Sequence, residues 1–134
     1  RKFLFTSSDR FDENSDRIRA VRNEKYKYIR NYFPENSHAL DVDYRKQMLL
    51  MRHLTTLHLT GKLSVEQNNW FRTPKLMEEL YDLENDPFEL KNLSENPEYD
   101  SIKVALSNEL DSWLENIDDL GRIPESELYK LIGK

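Results

Sequence analysis

The sequence predicts an α+β fold, a small antiparallel sheet covered by a C-terminal amphipathic helix, with a helical insertion between strands. Three observations carry the prediction. Tyr99, Ile102, Leu106, Leu110, Trp113, Leu114 and Ile117 form a continuous apolar stripe at helical spacing. Two β-prone segments, Arg17 to Val21 and Tyr26 to Tyr32, flank Asn23-Glu24-Lys25, a natural hairpin connection. Between these regions Met48, Met51, Leu54, Leu57 and His58 recur near helical period, and Gly61 follows as a stop.

Taken in order, the chain opens with a β-prone segment from Lys2 to Thr6. The start inside a strand suggests a piece cut from a longer polypeptide. Ser7 to Asp16 is polar, with Phe11 its one large apolar residue, and reads as a loop leaving that strand. In the second hairpin strand Tyr26, Tyr28, Arg30 and Tyr32 share one face and Ile29 lies on the other. Pro34-Glu35-Asn36-Ser37 opens a loop before a helix from about Tyr44 to Thr60. A shorter helix follows with Ser64 as its cap and Gln67 completing a capping box, and Pro74 closes it.

The stretch Glu79 to Leu93 then places Tyr81 and Leu83 on one side of an extended segment and Asp82 and Glu84 on the other, as in a half-buried strand. Asn85 and Asp86 can accept backbone hydrogen bonds and Pro87 suits a first helical position, so a short helical turn is expected there. Asn96, Pro97 and Glu98 start the terminal helix, with a cap, a pre-set φ and a negative charge at the positive dipole end. Burying its stripe supplies about 1.5–3 kcal/mol per large side chain before entropy. The antiparallel strands are the natural floor for it. Beyond Gly121, Pro124 to Lys134 adds a last helical turn through Leu128, Leu131 and Ile132 or frays.

At 134 residues the chain suits one domain with a sizeable core. It is 37% hydrophobic and 34% charged, too rich in Tyr, Phe, Leu and Ile for disorder. A formal charge of −5 gives no general electrostatic reason to bind nucleic acid or an anionic membrane. There is no Cys, so this chain carries neither disulfides nor thiolate chemistry. No apolar run approaches the ~20 residues that span a bilayer.

Candidate chemistry is sparse. His53 and His58 lie five apart, about 140° around a helix, and cannot readily share a metal. His38 reads as a solvated loop residue, near Asp41 and Asp43. No HExxH, P-loop or GxSxG pattern occurs, and three glycines leave little material for a phosphate-cradling loop. The acidic pairs Asp12-Glu13, Glu78-Glu79 and Asp118-Asp119 read as solvated faces with nothing nearby to shift a pKa. Arg17, Arg19, Arg22, Lys25, Lys27 and Arg30, with Tyr26, Tyr28 and Tyr32, read either as the outer face of a hairpin or as an anion-binding surface.

Two stretches, DRFDENSDRIRAVRNEKYKYIRNYFPE and ELYDLENDPFELKNLSENPEYDSIKVALSNELDSWL, resemble the C-terminal part of type I sulfatases of the alkaline phosphatase superfamily, arylsulfatase-like enzymes. That part typically carries an Asp-Arg-x-Asp-Glu loop, a Val-Arg…Tyr-Lys-Tyr-Ile hairpin and a Leu-Tyr-Asp-Leu…Asp-Pro-x-Glu…Asn-Leu block before a terminal helix. The likeness covers nearly the whole chain, most loosely Ser37 to Pro74. It implies about four antiparallel strands with a terminal helix, docked against a large α/β catalytic domain of the same polypeptide. On that basis residues 1–134 are one domain and a C-terminal fragment of a larger sulfatase. Residues 1–16, a strand and loop, belong to the junction with the catalytic domain, and 17–134 are the C-terminal subdomain.

The resemblance implies hydrolysis of sulfate esters or sulfamates of a sulfated carbohydrate by the parent, hence glycan degradation. It uses a formylglycine made from a C/S-x-P-x-R motif, assisted by calcium, both expected in the catalytic domain; this fragment, which has no such motif, is expected to be inactive alone and to hold neither metal nor cofactor. The loop from Ser7 to Glu13 matches the family at Asp9, Arg10, Asp12 and Glu13, which are the candidate substrate-binding residues. Arg10 would pair with a sulfate or carboxylate, and Asp9 or Asp12 would accept hydroxyl hydrogen bonds. Ser8 stands where relatives often carry a first Arg, which weakens an anionic subsite; a salt-bridged loop bracing the junction is the structural alternative. Kinship also suggests a periplasmic, secreted or lysosomal parent. The competing reading is a free-standing binding module that uses the Arg/Tyr hairpin for acidic glycans or acidic protein segments. An isolated fragment exposes its docking surfaces and the opening strand, so self-association is expected.

Overall fold

A computed structural model describes residues 2–131 and 133. Four antiparallel strands lie in sequence order: β1 Leu4–Phe11, β2 Asn14–Arg22, β3 Tyr26–Asn31 and β4 Glu78–Asp82. The α+β reading holds. Phe5 pairs with Val21, Val21 with Tyr28, and Tyr28 with Leu80, so one apolar row crosses the whole sheet. Helix α4, Asp100–Asn116, lies on this row. Val21, Tyr28, Leu80, Leu93, Leu106 and Leu110 form the buried core, and the Trp113 ring stacks on Phe5 at 4.9 Å. The start of α4 is as the sequence implies, with the Asn96 side chain accepting from the Glu98 N–H and Pro97 opening a 3₁₀ turn. Ile117, at the end of the expected stripe, is exposed.

The opposite face of the sheet is buried by polar rather than apolar contacts. Lys75 donates to both oxygens of Asp16 at 2.6 and 2.5 Å, and neither residue meets solvent appreciably. Glu79 is buried where it accepts from Asn31 and Tyr81 and contacts His38 at 3.2 Å. Burial pushes the Glu79 carboxyl up, but the hydrogen bonds from His38, Tyr81 and Asn31 outweigh it and leave it below the ordinary range. β4 is therefore buried on both faces, not half-buried as its alternation suggests, and His38 leans on Glu79 instead of standing in solvent.

Several boundaries differ from expectation. Ser7 to Phe11 is not a loop: β1 continues to Phe11, turns over Asp12 and Glu13, and β2 starts at Asn14. The expected helix from Tyr44 to Thr60 is two helices, α1 Asp43–Gln47 and α2 Leu49–Leu59, broken where Met48 takes an extended ψ of 126°. Gly61 ends α2 at φ +64°, in the left-handed region that favours glycine. Helix α3, Val65–Asn68, has the full Ser64–Gln67 capping box. After β4 the chain makes turns held by Asp82, not a helical one: its carboxylate accepts from the Glu84 and Asn85 N–H groups. Phe88 lies out in solvent. Helix α5, Glu125–Leu131, supplies the last helical element through Leu128, and Ile132 lies outside the described residues.

The two sheet edges differ. Along β4, the Asn92 side chain accepts from the Leu80 N–H, Leu93 donates to the Leu80 carbonyl, and Ser94 donates to the Glu78 carbonyl. That edge is covered. Among the described residues nothing pairs with the outer edge of β1.

Candidate functional site

The four candidate residues sit at the tip of the β1–β2 hairpin. The register slips between Ser8, opposite Ile18, and Arg10, opposite Ser15, so Asp9 faces two residues of β2, Asp16 and Arg17, and the bulge lies on β2. In a regular strand neighbouring side chains point to opposite faces; a bulge re-aims one of them. Next to this bulge, Asp9 and Arg10 both line a cleft of about 610 Å³, with Arg17 and the segment Leu120 to Glu125. Asp12 takes the turn at φ 54°, which a short polar side chain tolerates, and stands exposed. Glu13 faces away from this cleft and accepts from the Asp43 N–H at the start of α1 at 2.7 Å. The structure thus joins Asp9 and Arg10 and separates them from Glu13.

The fixed part of the site is Arg19, 1% exposed at its side chain. Its guanidinium spans Asp119, with Nη2 to Oδ1 at 2.8 Å and Nε to Oδ2 at 3.2 Å, and reaches Asp9 at 2.7 Å. Arg17 donates to the same Asp119 at 2.7 Å while its guanidinium lies 3.9 Å over the Tyr32 ring. Burial acts to raise the Asp119 carboxyl, and the hydrogen bonds from Arg19 and Arg17 more than reverse this, holding it at about 2. Gly121 completes the arrangement. A Cβ there would fall inside contact distance of Arg19 Nη2 and 2.5 Å from Asp9 Oδ1, so the close approach admits no side chain. Outside this knot Arg10 donates to Glu125 on α5 at 2.8 Å, both partly exposed.

Asp119, Gly121 and Glu125 escaped the sequence reading, and Asp118-Asp119 is not the solvated pair expected: Asp118 is exposed, Asp119 nearly covered. The one available signal was an Asp-Asp-Leu-Gly segment ending the best helix while several arginines upstream lacked partners. The hairpin cations are neutralised from within. Besides Arg17 and Arg19, Lys25 pairs with Glu84, Lys27 with Glu89, and Arg30 with Asp111. Arg22 is exposed and bonds the Asn23 carbonyl. These residues therefore brace the fold and do not form a bare anion-binding face.

His58 stacks on Phe71 at 4.5 Å and meets Asn68, while His53 is exposed. Among the described residues no three His, Asp or Glu side chains converge as a metal cradle. No helix there is long and apolar enough to cross a membrane.

No family model matches the chain. Two curated relatives do, both described as ulvan-active sulfatases of Formosa agariphila. One is 51% identical over 128 residues, covering 96% of this chain and 22% of the relative. The other is 36% identical over 106 residues, covering 76% and 18%. The chain thus spans about a fifth of their length. Among solved structures, a 2-O GAG sulfatase superposes on 93% of this chain and 18% of its own, with TM-score 0.55 and 20% identity. A protein in complex with its substrate D-glucosamine-2-N,6-O-disulfate matches 92% and 18%, with TM-score 0.53 and 16% identity. At these identities the structural matches speak for the fold.

Proposed function

Because this chain belongs to the sulfatase family, as a C-terminal piece of such a protein, we propose that the whole polypeptide hydrolyses sulfate esters, or sulfamates, of a sulfated carbohydrate. Residues 1–134 complete its fold and form one wall of its substrate cleft. The observation that carries this reading is the 51% identity, across 96% of the chain, to a sulfatase active on ulvan. Formylglycine and calcium belong, in this reading, to the remaining four-fifths of the protein. There they would supply the nucleophile and the positive charge that neutralises the non-bridging oxygens of the sulfuryl group as the sugar hydroxyl leaves.

The contribution of these residues is positioning. The Arg19–Asp119 pair anchors Asp9, and Arg10 lines the same cleft. Arg10 is partly exposed and, among the described residues, its one ion pair is with Glu125, so a sulfate or uronate oxyanion can replace that carboxylate with a bidentate contact. Asp9 and Asp12 are exposed acceptors for sugar hydroxyls, and Glu13 ties the tip to α1. The open outer edge of β1 is the junction with the catalytic domain in this reading, since an uncovered edge strand invites pairing.

The test is sulfate release from ulvan and other sulfated polysaccharides by the full-length protein, followed by ion chromatography, with formylglycine verified by mass spectrometry. Release is expected, and Arg10→Ala should raise KM about tenfold with little change in kcat. No release from any sulfated polysaccharide by formylglycine-bearing protein would overturn the activity. An unchanged KM in Arg10→Ala would remove the hairpin from the substrate site.

A further inference from the structure

The strongest remaining feature is a second cleft, on the other side of the hairpin tip from Arg10. It is about 320 Å³, within the range of ligand-sized cavities, and lies between α1, α2 and the segment 39–42. Its cations differ from those of the β2–β3 hairpin. Arg45 forms no ion pair among the described residues; its Nη1 makes only long contacts, 3.4 Å each, to the His38 and Leu40 carbonyls. Its guanidinium is fixed by ring faces instead, 4.4 Å from the Phe11 centroid and 5.4 Å from Trp70. Most of its five N–H donors are therefore unspent and already oriented.

Arg52, exposed on the same wall, has no side-chain partner among the described residues. The cleft's third cation, Lys46, is shared by Asp41 and Asp43 at 3.0 Å each, so the lining carboxylate Asp41 is held by the lysine and not by either arginine. The lining thus carries three cations against one carboxylate, and among the described residues neither guanidinium is in an ion pair. Met51 and Phe71 supply apolar surface, and the Thr55 and Thr56 hydroxyls lie beside it.

The cleft is also held at a fixed distance from the hairpin tip. Asn14 donates to the Asp41 carbonyl at 2.7 Å, Glu13 accepts from Asp43, and Phe11 covers Arg45. The hairpin that carries Arg10 thus also touches α1, which carries Arg45.

We propose that this cleft is a secondary subsite for a charged sugar unit, a sulfate ester or a uronate carboxylate, of a polymeric substrate, bound by Arg45 and Arg52. It rests on the carbohydrate reading above and extends it from one sugar residue to a chain. The shared chemistry is an oxyanion on a ring whose C–H face lies against Met51 and Phe71. Two unpaired guanidiniums favour it because each can offer a fork of parallel donors.

The experiment uses the full-length protein with Arg52→Gln, Arg45→Gln and both together. The substrates are a size series of ulvan oligosaccharides and the monomeric 4-methylumbelliferyl sulfate; binding to ulvan itself is followed separately by affinity electrophoresis, which needs no turnover. The double variant should raise KM for a hexasaccharide about tenfold, leave kcat and the aryl sulfate KM within about twofold, and lose retardation by ulvan. Carboxyl-reduced and partially desulfated hexasaccharides then tell which oxyanion is read, since only loss of the recognised group should erase the difference between wild type and variant. Arg45 supports two rings, so Arg45→Gln can weaken folding. Arg52 is exposed, and Arg52→Gln alone should still raise the hexasaccharide KM severalfold. Equal losses on the aryl sulfate, or hexasaccharide kinetics and ulvan retardation unchanged in Arg52→Gln, would overturn the subsite. Failure of wild-type protein to release sulfate from any substrate would instead refute the sulfatase activity, while the electrophoresis still reports on the cleft.

Discussion

Replacing Asp119 by Asn separates the charge of the Arg17–Asp119–Arg19 knot from its shape. The Asn is isosteric and can still accept one hydrogen bond, but two guanidiniums lose their shared carboxylate. Removing one partner of a buried pair costs about 3–5 kcal/mol when the remaining charge has no relief. Arg19 is nearly inaccessible but keeps Asp9, itself half exposed, as a second partner, so the loss at pH 7 should be about 2–3 kcal/mol. The pH dependence gives an independent magnitude. Asp119 is held at about 2 against an ordinary 3.8. At 1.36 kcal/mol per unit this is about 2 kcal/mol, and closer to 1 after solvent screening at the cleft mouth. The folded value is depressed, so this stabilisation is present in full above the unfolded pKa, near pH 4, and fades as pH falls through about 2. Urea denaturation of wild-type and Asp119→Asn chains, followed by Trp fluorescence from pH 7 down to pH 2.5, measures both quantities. The gap should narrow below pH 4. A gap that stays constant to pH 2.5, or one below about 0.5 kcal/mol at pH 7, would refute the account of the knot.

Three further outcomes follow from the packing. Gly121→Ala should destabilise by about 1–3 kcal/mol, because the atoms it meets end a side chain pinned by Asp119 and Asp9 and cannot swing aside; a neutral effect in thermal unfolding would contradict this. Lys75→Met leaves the Asp16 carboxylate buried and unpaired and should cost about 3–5 kcal/mol, whereas Lys75→Met with Asp16→Leu should recover most of it; equal stability of single and double variants by denaturation would contradict the pairing. The 134-residue chain alone should self-associate through the open edge of β1, and light scattering that stays monomeric at the highest soluble concentration would argue against an available edge.

What the sequence made legible was whatever a few neighbouring residues decide. The Ser64–Gln67 box and the Asn96-Pro97 start are local hydrogen-bond and φ preferences, and both are in place. The α4 stripe was legible because a single helix has one dominant apolar face, and its central residues Leu106 and Leu110 are fully packed. The far half of β1 looks like a loop because an exposed edge strand needs no alternation, and Thr6 to Phe11 is solvent-facing throughout. β4 differs in the other sense, since its second face is buried by polar partners at Asn31, His38 and Tyr81 that no hydrophobic pattern announces. The break at Met48 carries no Gly or Pro to mark it.

The charged residues show why the site was only half legible. Arg17, Arg19 and Arg30 are dense in sequence and look like a binding face, but their partners Asp111 and Asp119 lie more than eighty residues away, on and just beyond the helix that crosses them. Clustering measures how many cations a strand presents, whereas ligand binding depends on how many remain unneutralised after folding. Arg45 and Arg52 stand seven apart on two short helices and form no cluster at all, yet among the described residues neither has a carboxylate partner. The cations open to a ligand therefore lie not on the strand with most of them but in the cleft of Arg45 and Arg52, and at Arg10, whose carboxylate partner Glu125 is exposed enough to be exchanged. A distant anion meeting Arg19 would have to displace two carboxylates and enter a space that Gly121 already fills to contact; one meeting Arg10 or Arg52 displaces at most one.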